Sequence, residues 1–252
     1  MTWWVHDYVQ AGLYIELISW IFWVILSITL HELAHGWAAI WQGDDTPIHT
    51  GHMSSNPLVH MGGHSLVIFA LCGIAWGAMP VNPNRFRDGR RGDIYVSAAG
   101  PAMNLLIGAA CTIILTLWLW LAPQETELYR NVAVFLFYGV GLNMILAPLN
   151  LLPIPPLDGS HILAGFSRKA AELFNRPQAM IFGMLVFMAI FFMSPVGGLL
   201  FNAAWGGAEA LIDLAGSPFG NPEMFYVRWG VHLNDILDPA SFEQMLQEAP
   251  AN

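Results

Sequence analysis

The sequence predicts an all-α polytopic membrane protein, with four to six membrane helices and a small re-entrant or β insertion at 44–92. Three observations carry this expectation. Hydrophobic residues make up 56% of the chain and charged residues only 11%, where a soluble domain is about 25% charged. Several charge-free runs reach the roughly 20 residues that a helical bilayer span needs. An apolar run, Leu17 to Leu30, leads straight into an ionisable motif at 31–35. The same composition excludes a disordered chain, a collagen-like repeat and an ordinary soluble globule. With 9 Lys+Arg against 18 Asp+Glu, a net charge of −9, nucleic acid is not an expected partner, because phosphate neutralisation needs a basic face. Cys72 and Cys111 both lie in apolar runs and make no disulfide framework.

In chain order, the first segment, roughly 11–41, spans provided that its polar residues face protein. Residues 46–84 carry no Asp, Glu, Lys or Arg, but Pro47, Pro57, Pro80, Pro83 and several glycines interrupt them. Within that stretch, 64–79 is too short and too rich in glycine for a clean span. Clear spans follow at roughly 97–121, 131–152 and 179–200. The stretch 201–214 holds Glu209 and Asp213 and reads as a poor span but a passable interfacial helix. The tail, with Pro218, Pro222, Pro239 and Pro250, reads as a short soluble appendage, partly helical at 234–248. The chain therefore divides into a membrane-embedded domain, 1–215, and a tail, 216–252. No basic run precedes the first apolar stretch, so no cleavable signal peptide is expected. Trp3, Trp4, Trp118 and Trp120 read as interfacial belts.

Residues 31–35 read His-Glu-Leu-Ala-His. On a helix, positions i and i+4 share a face, so both imidazoles reach one metal ion. Glu32 lies beside them, placed to take a proton from water at the metal. Two histidines on a buried helix face are the bland alternative. It is disfavoured here because ionisable groups inside a membrane helix are expensive and usually functional. Catalytic zinc generally has three protein ligands and one open position, so a third His, Asp, Glu or Cys is needed near the membrane at similar depth. Asp158 is the best candidate. It follows a membrane helix in the run Asn150-Leu-Leu-Pro153-Ile-Pro155-Pro156-Leu157-Asp158-Gly159. The prolines break the helix, and irregular backbone at membrane depth is tolerated only where it lines a protein cavity. The alternative is that Asp158 caps a helix running from Ser160 to Asn175.

Taken together, His31-Glu32-x-x-His35, Ala99-Gly100-Pro101-x-x-Asn104 and Asn150-x-x-Pro153 leading into Leu157-Asp158-Gly159 resemble the site-2 protease family of intramembrane zinc metalloproteases. The resemblance covers roughly residues 20–200. Leu58-Val59-His60 and Pro80-Val81-Asn82-Pro83 are similar to a compact subgroup that lacks an inserted peptide-binding domain, although Met61-Gly62-Gly63-His64 stands where that subgroup usually has an acidic residue. The resemblance implies one Zn2+ per chain held by His31, His35 and Asp158, with Glu32 as the catalytic acid/base. It further implies that Asn150 lies by the site and assists substrate or oxyanion binding, that Asn104 sits on the helix beside the metal, that Asn143 matches a recurrent polar position one face along, and that His60 neighbours the site, with Asn104, Asn143 and His60 as further candidates for substrate or oxyanion binding. It points to transmembrane protein substrates in a lipid bilayer, and to a bacterial or archaeal cytoplasmic membrane. The histidines at 49, 52 and 64 match no standard metal spacing.

Charge predicts topology. Arg85, Arg87, Arg90 and Arg91 form one basic loop, and Arg168, Lys169 and Arg176 another. Two spans separate them, so both lie on one side, the cytoplasmic side by the positive-inside rule. Asp158 is then near the cytoplasmic face, and His31 and His35 must meet it. The segment 43–92 begins and ends on that side, so 64–84 dips into the membrane and returns. Such a segment could present an edge to an unwound substrate. The expected function is intramembrane zinc endopeptidase, cleaving a transmembrane segment of membrane-protein substrates. Three alternatives are a membrane metal transporter or sensor using the same ligands, an inactive scaffold, and a membrane-tethered protease for soluble peptides.

Overall fold

The structure is a computed structural model that describes residues 3–122, 126–174, 176–192 and 195–216. Its regular elements are helices: α1 (Trp4–Gln10), α2 (Tyr14–Trp41), α3 (Thr46–His49), α4 (Pro57–Cys72), α5 (Arg90–Leu121), α6 (Glu127–Asn150), α7 (Asp158–Phe166), α8 (Arg168–Phe174), α9 (Pro177–Phe192) and α10 (Pro195–Gly216). Among the described residues there is no strand. Three helices, α2, α5 and α6, are long and apolar enough to cross a membrane. A fourth span arises if α8 and α9, which meet at 88°, are taken together.

Helices α2, α5 and α6 pack on one another in a bundle. Their inward faces meet at Trp23, Ile28, Cys111, Leu115, Phe137 and Val140. Their outward faces carry exposed Phe22, Leu106, Ile114 and Leu117. In water such a surface would be untenable, whereas against lipid tails it is the matching face. At the end of the bundle remote from the 31–35 motif, a buried ion pair ties α6 to α2, with Arg130 Nη2 2.5 Å from Glu16 Oε1. Ionisable groups at such depth turn toward protein and pair, which meets the condition that the sequence set for the first span.

The insertion doubles back on itself. Its two ends meet at the fully buried Asp44 carboxylate, which accepts from Thr46 N at 3.1 Å and from Asn82 N at 2.6 Å. Between them, α4 is a helix with a break at Gly62, and Gly73 ends it at φ +75°, a left-handed conformation that glycine adopts without a Cβ penalty. Tryptophan indoles hold this tip: Trp3 and Trp4 donate to Ala70 O, and Trp20 donates to Gly73 O. Trp20 precedes His31 by about 16 Å of helix rise, so the tip lies well below the depth of the motif. Residues 74–82 then return in extended form. The β alternative expected for the insertion is not formed among the described residues: one arm has no regular secondary structure. The other arm is a helix, because a helix meets all its backbone hydrogen bonds internally where water is scarce. The extended arm pairs with α4, not with a strand. Ser65 Oγ bonds both Trp76 N and Trp76 O, and Ala78 N donates to His60 O.

Two further expectations are revised. The span expected at 179–200 is not one helix: α9 ends at Phe192 and Pro195 opens α10, a first-turn position where proline's missing N–H costs nothing. Helix α10 contains the stretch 201–214. It packs against α5 and α6 by burying Ala204, Ala208 and Ile212 and setting the Trp205 ring on Phe137 and Tyr138 at 5.1 and 5.4 Å between centroids. Likewise, the helix envisaged from Ser160 to Asn175 is two, α7 and α8. The tail expected at 216–252 lies outside the described residues beyond Gly216.

Candidate metal centre

His31 and His35 lie one turn apart on α2, both buried. Each ring is oriented by a hydrogen bond at Nδ1. His31 Nδ1 donates to Asn104 Oδ1 at 2.7 Å, and His35 Nδ1 donates to the Val96 carbonyl at 2.7 Å. Pro101 withholds a donor from the adjoining turn of α5. With Nδ1 protonated on both rings, both Nε2 lone pairs point the same way, 3.0 Å apart. This is how a neighbouring acceptor fixes the tautomer of a ligating histidine.

Asp158 completes the cluster from the first turn of α7. Its oxygens lie 3.2 Å from His31 Nε2 and 3.3 Å from His35 Nε2. The turn that delivers it is tight, since a Cβ on Gly159 would come within 2.1 Å of the Leu151 carbonyl oxygen. Asp158 is therefore turned into the bundle and does not act as a helix cap.

The donor set fits a metal ion. One atom each from His31, His35 and Asp158 lie within 4.8 Å of one another, the one such group among the described residues. Asp158 Oδ2 is buried without a hydrogen bond of its own. Two imidazoles and a carboxylate are a catalytic zinc donor set that leaves a position open. The floor is built for close approach, because a Cβ on Gly100 would sit 2.4 Å from His35 Nε2 and 2.5 Å from His31 Nε2. Only a glycine lets α5 pass directly under the ligands.

Glu32 is buried beside this cluster. The extended arm crosses it so closely that a Cβ on Gly77 would meet Glu32 Oε1 at 2.6 Å. Asn104 Nδ2 donates to Asn143 Oδ1 at 2.9 Å, and Asn143 Nδ2 donates to Ser27 Oγ at 2.9 Å. This chain of side chains returns to α2 one turn before His31. His60 is buried next to the arm, its Nε2 donating to Ser54 O at 2.6 Å. Of the residues predicted from sequence, the structure gathers His31, His35, Asp158, Glu32, Asn104 and Asn143, and places His60 alongside. Asn150 ends α6 half-buried and makes no hydrogen bond to them. His49 instead pairs with Asp45, and His52 with Thr50. Gly77, Val96 and Ser27 were not anticipated. Ser27 carried a signal, as a polar residue one turn from His31 in an apolar run. The other two act through backbone, which sequence does not mark.

Residues 121–194 match Peptidase family M50. YwhC of Bacillus subtilis, named as a zinc metalloprotease, is 30% identical over 199 residues, 78% of this chain and 90% of its own. Rip2 of Mycobacterium tuberculosis, also so named, is 29% identical over 220 residues, 84% of this chain and 78% of its own. Rip2 of Mycolicibacterium smegmatis is 33% identical over 156 residues, 59% of this chain and 56% of its own. No solved structure matches. The match with YwhC covers most of both chains, and the helices around the donor set are those of a membrane protein. The chain belongs to peptidase family M50, the site-2 proteases, and is a zinc-dependent metalloprotease of the membrane.

Proposed function

We propose that the chain is an intramembrane endopeptidase that hydrolyses a peptide bond in a transmembrane segment of its protein substrates, working from the cytoplasmic side of a bacterial or archaeal membrane. The observation that carries this reading is the depth of the donor set. His31, His35 and Asp158 converge inside a bundle whose outer surface is lipid-like, beside an extended arm that dips into the same layer. His31, His35 and Asp158 hold the zinc, which when bound polarises the scissile carbonyl and makes water more acidic. Glu32 takes the proton of the attacking water and returns it to the leaving amine nitrogen. Gly77 of the extended arm lies against Glu32. Trp76 and Ala78 turn backbone groups toward α4, so strand alternation turns those of Ala75, Gly77 and Met79 the other way, as an edge for an unwound substrate. His60 Nδ1, buried with no hydrogen-bond partner, is an acceptor for the substrate backbone there. Asn150, at the rim, is assigned to the oxyanion or to substrate. Asn104 and Asn143 position His31.

The decisive experiment uses the purified chain in proteoliposomes with a transmembrane substrate and a soluble peptide of the same sequence. Glu32→Gln should keep one zinc per chain and lose about 10²–10⁴-fold or more in rate. His35→Ala should lose the zinc. Cleavage of the soluble peptide alone would show a membrane-tethered peptidase, and a wild-type rate in Glu32→Gln would overturn the mechanism. A metal transporter would need a further set of ligands leading away from the centre. Among the described residues the one metal-competent group is that of His31, His35 and Asp158.

A further inference from the structure

We propose that a cleft between α5, α6 and α10 is a lipid site that holds one acyl chain of a bilayer phospholipid against the back of the Asn104–Asn143 pair. The cleft has a volume of about 280 Å³ and is walled by Leu105, Ala109 and Ile113 of α5, Met144 of α6 and Leu211 of α10. Three polar residues reach it, Asn104, Thr112 and Asn143, and all three turn their polar atoms inward. Asn104 bonds His31 and Asn143, Asn143 bonds Ser27 and the Gly139 carbonyl, and Thr112 Oγ1 donates to the Gly108 carbonyl. What remains for an occupant is carbon.

The choice of occupant follows from where the cleft opens. Leu105 and Ile113 line it and are 54% and 59% exposed on the outer face of α5. The cleft is thus continuous with the surface that meets lipid tails. Water would find none of the two to four polar partners it needs there, while an apolar cavity of about 150 Å³ already takes up benzene. Left empty, the walls would forfeit their dispersion contacts. A peptide helix, about 10–12 Å across with side chains, is too wide, whereas a single hydrocarbon chain fits. The chain end would abut Asn143, one hydrogen bond from Asn104 and two from His31.

The test uses the full chain in nanodiscs doped with a phospholipid carrying a photoreactive diazirine on one acyl chain, with labelled peptides mapped by mass spectrometry. Labelling should concentrate several-fold on 105–113 and 211–215 over the exposed face of α9 at Ile181–Leu185. Ala109→Trp and Leu211→Trp fill the cleft from opposite walls. Either one, judged folded by retention of one zinc per chain, should lower labelling of the cleft several-fold and leave α9 unchanged. Even labelling of all lipid-facing helices, or cleft labelling that survives both variants, would overturn the proposal. So would cross-linking of these residues to a second copy of the chain in place of lipid. The readout is lipid adduct and not proteolysis, so it stands or falls apart from the proposed intramembrane cleavage.

Discussion

At Gly100 a single hydrogen atom separates a metal centre from none. A methyl group there would overlap Nε2 of both histidines at 2.4–2.5 Å, and neither ring can retreat, because each is bonded at Nδ1. Gly100→Ala should therefore reduce bound zinc to well below one per chain by elemental analysis. Gly108→Ala, two turns along the same helix, is the matched control. Its new Cβ would meet Asn143 Cβ at an ordinary 3.5 Å, and full zinc is expected. The hydrogen-bonded Asn104 works at longer range. Partners of this kind change metal affinity by about 10–100-fold when removed, so Asn104→Ala should weaken zinc by that factor in a chelator competition. Asn143→Ala, one bond further back, should weaken it less.

The insertion is where an element acquires a task. Its helix reaches down to the tryptophan-capped turn at Gly73, and its extended arm climbs back across Glu32. Gly77→Val should leave zinc content unchanged, because it touches no ligand, yet reduce cleavage by displacing the Glu32 side chain that it would overlap. Zinc loss in that variant would show that the arm supports the metal directly. At the other end of the bundle, Glu16 and Arg130 act as one unit. Removing one partner strands a buried charge, at a cost of about 3–5 kcal/mol, whereas replacing both with apolar residues is often close to neutral. Glu16→Gln should lower the thermal unfolding midpoint in detergent clearly, and the double variant Glu16→Leu, Arg130→Met should recover most of it.

For the whole molecule, both basic loops sit at the metal end of the bundle. Arg87 donates to the Trp41 carbonyl at the end of α2, and Arg90 donates to the Ala164 carbonyl on α7. The parity deduced from charge is thus matched by contacts. With Cys72 and Cys111 replaced, single cysteines at the exposed positions Thr50 and Arg91 should react with an impermeant reagent from one and the same face, the cytoplasmic one in the proposed orientation. Labelling from opposite faces would mean that 57–82 crosses the membrane.

The sequence by itself determined the chemistry and the class of fold. Apolar runs of span length specify helices because lipid leaves the backbone no other partners. The i, i+4 histidines share a face on any helix, and a proline-broken carboxylate after a span has few places to go but inward. Asp158 could be named for that reason. Tertiary structure decided what depends on backbone and on distance. The Val96 carbonyl that holds His35 belongs to no side-chain pattern. Gly77 matters only through what lies opposite it, and nothing local distinguishes it from the chain's other glycines; Gly100 stands in a motif, but the closeness of both imidazoles that requires a glycine there is a tertiary fact. The division of this stretch into α9 and α10 likewise escaped a hydropathy reading, which sees one apolar run whether or not the helix is interrupted. What places α10 is the fit of Trp205 against Gly141 and Phe137 on α6, a long-range contact that composition does not encode.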